Sequence, residues 1–172
     1  VTDHIIEPGD AILARSKGFY GMMIRFGQRL RWRNTKTNHA ALVIGFDEHE
    51  EPMCAQMARK GQIVRARDIA PGGELFVIKA PKGIDRQRAV DFGKRCKGTK
   101  YGVLTIISIA FNLLSPRPVR IDFRLEDTLI CSALVARAWE HGGWLCPTDP
   151  FQITPAELET KFGNTGWPVN YV

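Results

Sequence analysis

Two residues in this chain have the types needed for a nucleophile and its base: Cys131 and His39. Cys131 lies just after Thr128-Leu129-Ile130, in an apolar run that stops at Gly142-Gly143. A threonine before such a run marks a helix start, and glycines after it mark a stop. The pattern predicts a helix over 128–141 with Thr128 as its N-cap and Cys131 at the third helical position. There the unpaired backbone N–H groups and the helix dipole favour an anion. The thiolate is the reactive form of cysteine, and a helix N-terminus lowers the thiol pKa. The same donors can hold a developing oxyanion. The competing reading is a small core residue beside Ile130 and Ala133, which on position alone is the commoner outcome.

His39 opens an apolar strand, His39-Ala40-Ala41-Leu42-Val43-Ile44, after the polar stretch 34–38. A base at a strand end facing a cleft suits proton transfer, although a lone histidine is more often structural. An imidazole working with a thiol needs a third group to orient its second nitrogen. Gln56, on the neighbouring predicted strand, carries an amide oxygen able to accept that N–H; its ordinary alternative is an exposed strand residue. His4, His49 and His141 are weaker candidates. They lie near the N-terminus, in the acidic turn 47–52 and at the end of the Cys131 helix, where a cation caps the dipole. Cys54 falls inside a strand, Cys96 late in a helix and Cys146 before a proline.

Other chemistries lack their signatures. No CxxC pair, zinc-finger spacing, HExxH, phosphate-binding loop, GxGxxG or GxSxG is present. Neither a metal nor a cofactor is expected. A two-carboxylate glycosidase site has no fixed spacing and stays open on motif grounds.

The elements that must position these residues follow from punctuation and periodicity. At 172 residues the chain is long enough for one well-buried core, so a single domain over 1–172 is expected. With 44% hydrophobic and 24% charged residues, disorder is not the default. Pro8-Gly9-Asp10 is a turn before a short apolar strand at 11–14. Apolar spacing of three and four predicts an amphipathic helix over 17–30. Strands at 38–46, 53–58, 62–67 and 75–79 form an antiparallel meander by pattern. Helical spacing returns at 85–97. The stretch 103–114 is apolar but too short for a bilayer, which needs about 20 residues. Thr154-Pro155-Ala156-Glu157 is a capping box with proline at the first helical position, opening a helix through Lys161. The class is α+β, a central antiparallel sheet packed against helices.

The net charge of +6 favours acidic partners. Its concentrations, at 25–36 and 59–67, are not long Lys/Arg blocks and lack interleaved aromatics, which argues against nucleic acid. No secretory leader is visible at the start of the sequence, and reduced cysteines are the favoured state.

Four segments, in order, carry a family resemblance: Pro8-Gly9-Asp10-Ala11-Ile12-Leu13, then Asn38-His39-Ala40-Ala41-Leu42-Val43-Ile44-Gly45, then Lys100-Tyr101-Gly102, then Leu129-Ile130-Cys131-Ser132-Ala133-Leu134-Val135. Together they resemble the circularly permuted branch of the NlpC-like, papain-fold hydrolases. That branch includes YiiX-type proteins and relatives of lecithin retinol acyltransferase. The likeness covers about residues 8–160, with 153–158 similar to a late family segment. It implies a permuted papain-like fold in which histidine precedes cysteine. Cys131 would be the nucleophile at a helix N-terminus and His39 the base. Gln56 would fall at or near the third polar position, often acidic in the family. Tyr101 would lie near the site and donate to an oxyanion or substrate carbonyl; its alternative is a half-buried amphipathic aromatic.

The implied chemistry is acyl transfer through a thioester. The leading expectation is a cysteine peptidase or amidase acting on peptidoglycan, bacterial or carried by a bacteriophage, at the cell envelope. The basic charge suits an anionic cell-wall polymer as partner. A second expectation is a lipid-directed amidase or acyltransferase, with 103–114 lining an acyl pocket. A third is a non-catalytic papain-like module in a virion or membrane assembly.

Overall fold

Strand β1 (Ala11–Arg15) sits inside a six-stranded antiparallel sheet, and its sequence explains the placement. Ala11 to Ala14 are apolar on both faces and all buried, as a strand covered on both sides must be. In this computed structural model the residues described are 6–16, 36–102, 104 and 128–162, with the backbone of 167–169. The expected helix over 17–30 and the apolar stretch 103–114, apart from Leu104, lie outside them.

The other strands are β2 (His39–Phe46), β3 (Pro52–Met57), β4 (Gly61–Arg65), β5 (Glu74–Ile78) and β8 (Trp167–Val169), in the sheet order β4-β3-β2-β1-β5-β8. The expected meander holds for β2-β3-β4. It fails at β5, which pairs with β1 rather than β4. After β4 a short 3-10 turn at Ala66–Asp68 leads into the turn segment ending at Gly73, and the chain returns on the far side of β1. A central strand as apolar as β1 needs a partner on each edge, and β2 and β5 supply them.

Among the described residues three helices follow: α1 (Arg86–Arg95), α2 (Cys131–His141) and α3 (Pro155–Phe162). Asp85 caps α1 by accepting the Arg88 N–H. The expected capping box starts α3, where Glu157 Oε2 accepts the Thr154 N–H at 2.8 Å and Thr154 Oγ1 accepts the Glu157 N–H at 3.2 Å. α2 is apolar on most of its circumference and correspondingly buried. On one sheet face Leu13, Leu42, Ala55, Met57 and Ile78 pack with Val90 of α1 and Leu134, Val135 and Trp139 of α2. Burying each of the larger side chains is worth roughly 1.5–3 kcal/mol. On the other face Ile12, Val43, Cys54 and Val77 pack with Ile69 and Ala70.

The start of α2 differs from expectation. Thr128–Leu129 is not the first helical turn but a two-residue strand, β7, pairing in parallel with β6 (Lys100–Tyr101). Ile130 is the N-cap, without a side-chain cap bond, and Cys131 is the first helical residue. The ladder takes Thr128 and Leu129 into extended geometry, so the helix begins only where the chain leaves β6. Gly142-Gly143 ends it as predicted, with Gly143 at a φ of 97°.

Fixed polar anchors hold the helices to the sheet. Asp10, fully buried, accepts from Lys79 Nζ at 2.9 Å, Arg86 at 2.9 Å, and the N–H groups of Ala80 and Glu7 at 3.0 Å each. Trp139, fully buried, donates its indole N–H to Gly9 O at 2.8 Å. The Pro8-Gly9-Asp10 turn thereby ties β1 to the start of α1 and to the last turn of α2.

Candidate active site

The pairing register fixes the first contact of the site. Ala41 of β2 faces Gln56 of β3, and His39 lies two residues before Ala41, so His39 and Gln56 are diagonal neighbours on one strand face. Their side chains meet: His39 Nε2 is 2.6 Å from Gln56 Oε1. The amide oxygen only accepts, so Nε2 carries the proton and Nδ1 is left for the other partner. Gln56 is 4% exposed, a buried amide with an assigned task rather than an outward-facing strand residue.

That other partner is Cys131. Its sulfur is hydrogen-bonded to the His39 ring and also receives the backbone N–H groups of Ala40 and Ser132. Cys131 is itself buried at 4% exposure. Burial is the largest influence on its thiol and opposes ionisation, yet the His39 charge and the three hydrogen bonds outweigh it and hold the thiol below its ordinary value. His39 shows the mirror image. Burial would lower its pKa, but the thiolate charge, the bond to Cys131 and the bond to Gln56 together raise it. The two shifts favour a thiolate–imidazolium pair, the reactive form of a cysteine nucleophile.

Tyr101 joins the pair through β6 and β7. It pairs with Leu129, two residues before Cys131, and the Gly102 N–H donates to Leu129 O at 2.9 Å. Burial, then the Cys131 charge, pushes its phenol well up, so it remains a hydroxyl donor beside the sulfur. All four residues singled out from the sequence, Cys131, His39, Gln56 and Tyr101, are thus brought to one place.

Backbone geometry supplies what side-chain reasoning missed. The Ala40 N–H leaves no trace in residue type, whereas the Ser132 N–H is one of the helix-start donors expected from the pattern. Positioning groups were missed as well. Asn38 accepts the Ser16 N–H at 2.9 Å, and Glu159 of α3 accepts from the Thr37 N–H at 3.0 Å and the Thr37 hydroxyl at 2.8 Å. These bonds pin the two residues before His39. The buried Ser132 hydroxyl donates to Ile153 O at 2.6 Å, tying the start of α2 to the segment before α3.

The remaining cysteines and histidines stand apart. Burial, then Glu51, pushes the Cys54 thiol up to about 12, and burial raises Cys96. His49 is exposed in its turn, 3.5 Å from Glu48. His141 stacks on Phe92 with ring centroids 4.4 Å apart. Burial, then Arg137 and Arg95, lowers its pKa, which weakens the cationic helix-capping role expected from sequence. His4 lies outside the described residues.

The chain matches no protein-family model, and no curated protein sequence matches it. Among solved structures, it is similar to a crystal structure described as that of the metalloprotein YiiX from Escherichia coli O157:H7. That likeness has a TM-score of 0.56 at 13% identity, over 96% of this chain and 97% of the other. At that identity it establishes a shared fold.

Proposed function

We propose that the chain is a thiol-dependent hydrolase of permuted papain-like architecture, cleaving amide bonds through a thioester on Cys131. The observation that carries this reading is the meeting of Cys131, at the first position of a helix, with a His39 ring whose other nitrogen is held by Gln56 at 2.6 Å; the lowered thiol and raised imidazole follow from that arrangement. The order of histidine before cysteine and the YiiX-like fold support the permuted arrangement.

In the proposed reaction the Cys131 thiolate attacks the scissile carbonyl carbon, and the carbonyl π electrons move to its oxygen. Backbone N–H groups at the start of α2 and the Tyr101 hydroxyl are the donors available to that oxyanion. Collapse of the intermediate breaks the C–N bond as His39 gives its Nδ1 proton to the departing amine. Water then attacks the thioester and passes a proton to the now neutral His39. The second collapse releases the carboxylic acid and regenerates the thiolate. Gln56 holds the ring throughout by accepting the Nε2 proton bond, so Nδ1 stays aimed at the sulfur.

A metal, as the description of YiiX would suggest, fits this donor set poorly. Among the described residues no group of three or more His, Cys, Asp or Glu side chains converges, and of those types only His39 lies against Cys131. No step is assigned to one. Among the same residues no helix is long and apolar enough to cross a membrane.

Bacterial cell-wall peptides are the favoured substrate, on the basic charge of the chain and the resemblance. Incubation with purified muropeptides, with Cys131→Ala as control, tests this. Release of new amino termini by the wild type alone is expected. No release from muropeptides, with turnover of phospholipid or N-acyl amine substrates instead, would move the assignment to lipids.

A further inference from the structure

We propose that the mouth of this site is built for substrates bearing an anionic group, a carboxylate or a phosphate, received by a cationic rim of Arg59, Lys60, Lys97 and Lys100. The inference rests on the proposed Cys131 site and specifies the charge of what enters it.

Topology places the rim. β3 runs antiparallel to β2, so it ends where β2 begins, at His39. Gln56 lies at that end, and Arg59 and Lys60 occupy the turn three and four residues beyond it. The second contributor arrives from α1. Its last turn leads through Lys97-Gly98-Thr99 to Lys100, and the next residue is Tyr101, beside Cys131. The two turns are locked together. The Gly61 N–H donates to Thr99 O and the Gly98 N–H to Gly61 O, each at 2.8 Å, and Lys60 bridges Lys100. A Cβ on Gly61 would lie 1.8 Å from Cys96 O, so only glycine permits this approach. Four exposed cations from two segments therefore share one rim, bounded by Gln56 on one side and Tyr101 on the other.

Charge accounting separates these four from six other cations of the chain. Arg15, Arg65, Arg67, Lys79, Arg86 and Arg137 each meet a carboxylate. Among the described residues, no carboxylate pairs with Arg59, Lys60, Lys97 or Lys100. Neither 57–62 nor 92–102 contains an Asp or Glu. Like charges held together by backbone bonds repel one another and destabilise the fold, and an arriving anion relieves that repulsion. Such a field beside a recessed site also raises the local concentration of anionic substrate. Three of the four are lysines, which act as mobile point charges rather than planar forks, so the rim selects charge rather than one bidentate geometry.

The test compares three 4-nitrophenyl esters of matched length, neutral, carboxylate-bearing and phosphonate-bearing, on the wild type and on the Lys60→Gln/Lys100→Gln double variant. The wild type should prefer at least one anionic ester by about threefold or more in kcat/KM at low ionic strength, with the better arm naming the source. That ratio should fall toward one in the variant and in roughly 0.5 M salt, where screening shortens below about 5 Å. A second readout does not depend on turnover: the ratio of Cys131 alkylation rates by iodoacetate and by iodoacetamide. It should drop in the double variant. Equal ratios in wild type and variant, for esters or alkylation, would overturn the rim. Absence of ester turnover with a drop in the alkylation ratio would count against the hydrolase reading and leave the rim standing.

Discussion

His39 and Gln56 meet at 2.6 Å across two strands, and this single contact decides which imidazole nitrogen serves Cys131. A ring free to flip would present either nitrogen. With Nε2 committed to an acceptor, Nδ1 alone is available to the sulfur. The bond also favours the charged imidazolium, since Nε2–H donates more strongly when the ring is protonated.

Gln56→Ala should therefore impair the site without unfolding it. Loss of ring orientation is expected to lower turnover by roughly ten- to a hundredfold, the range for a misplaced reacting group. Gln56→Glu keeps an acceptor at the same reach and should recover much of the loss. It should also move the alkaline limb of the pH–rate profile upward, because a carboxylate raises the His39 pKa further. Parallel kinetics on the three proteins check both statements. Equal losses in Ala and Glu variants would point to packing rather than orientation.

The charge on His39 depends on its neighbour. In Cys131→Ala the thiolate and its hydrogen bond are gone, while burial, the largest influence on the ring and a lowering one, remains. The His39 pKa should fall below its wild-type value, because the largest raising influence is removed and the lowering one stays. Imidazole NMR titration of the two proteins measures this. An unchanged value would mean that the thiolate does not hold the imidazole proton.

Asp10 anchors the scaffold at the other end of β1 from His39. Asp10→Asn replaces a buried carboxylate that meets Lys79, Arg86 and two backbone N–H groups. Because both cations are partly exposed, the loss should be at the lower end for a broken buried pair, about 2–3 kcal/mol. Urea unfolding, read as a midpoint shift at constant slope, gives the value.

Much of this was legible from residues alone. Apolar runs bounded by Gly, Pro and acidic turns located β1 to β5 within a residue or two, and Thr154-Pro155-Ala156-Glu157 marked α3 because a capping box is a local device. What escaped was non-local. Thr128 looked like an N-cap, but its partner Lys100 lies 28 positions earlier and no local pattern reveals that ladder. The placement of β5 beside β1 rather than β4 was hidden for the same reason. In the site, Cys131 and His39 could be chosen by type and Gln56 by strand adjacency. The Ala40 N–H donor could not, since every residue but proline carries one, whereas the Ser132 N–H is one of the helix-start donors that the pattern predicts.

The central claim is that Cys131 is a thiolate sustained by His39, and its alkylation rate against pH tests that most directly. The lowered thiol and raised imidazole define a window in which the pair is ionised, opening at the first value and closing at the second; the macroscopic values belong to the pair. Peptide mass spectrometry after timed iodoacetamide exposure should show Cys131 reacting with an inflection below the ordinary thiol value of about 8.5. In His39→Ala its inflection should move above that value, because burial is then opposed only by the Ala40 and Ser132 N–H bonds. A wild-type inflection at or above about 8.5, or one that His39→Ala leaves in place, would contradict the account.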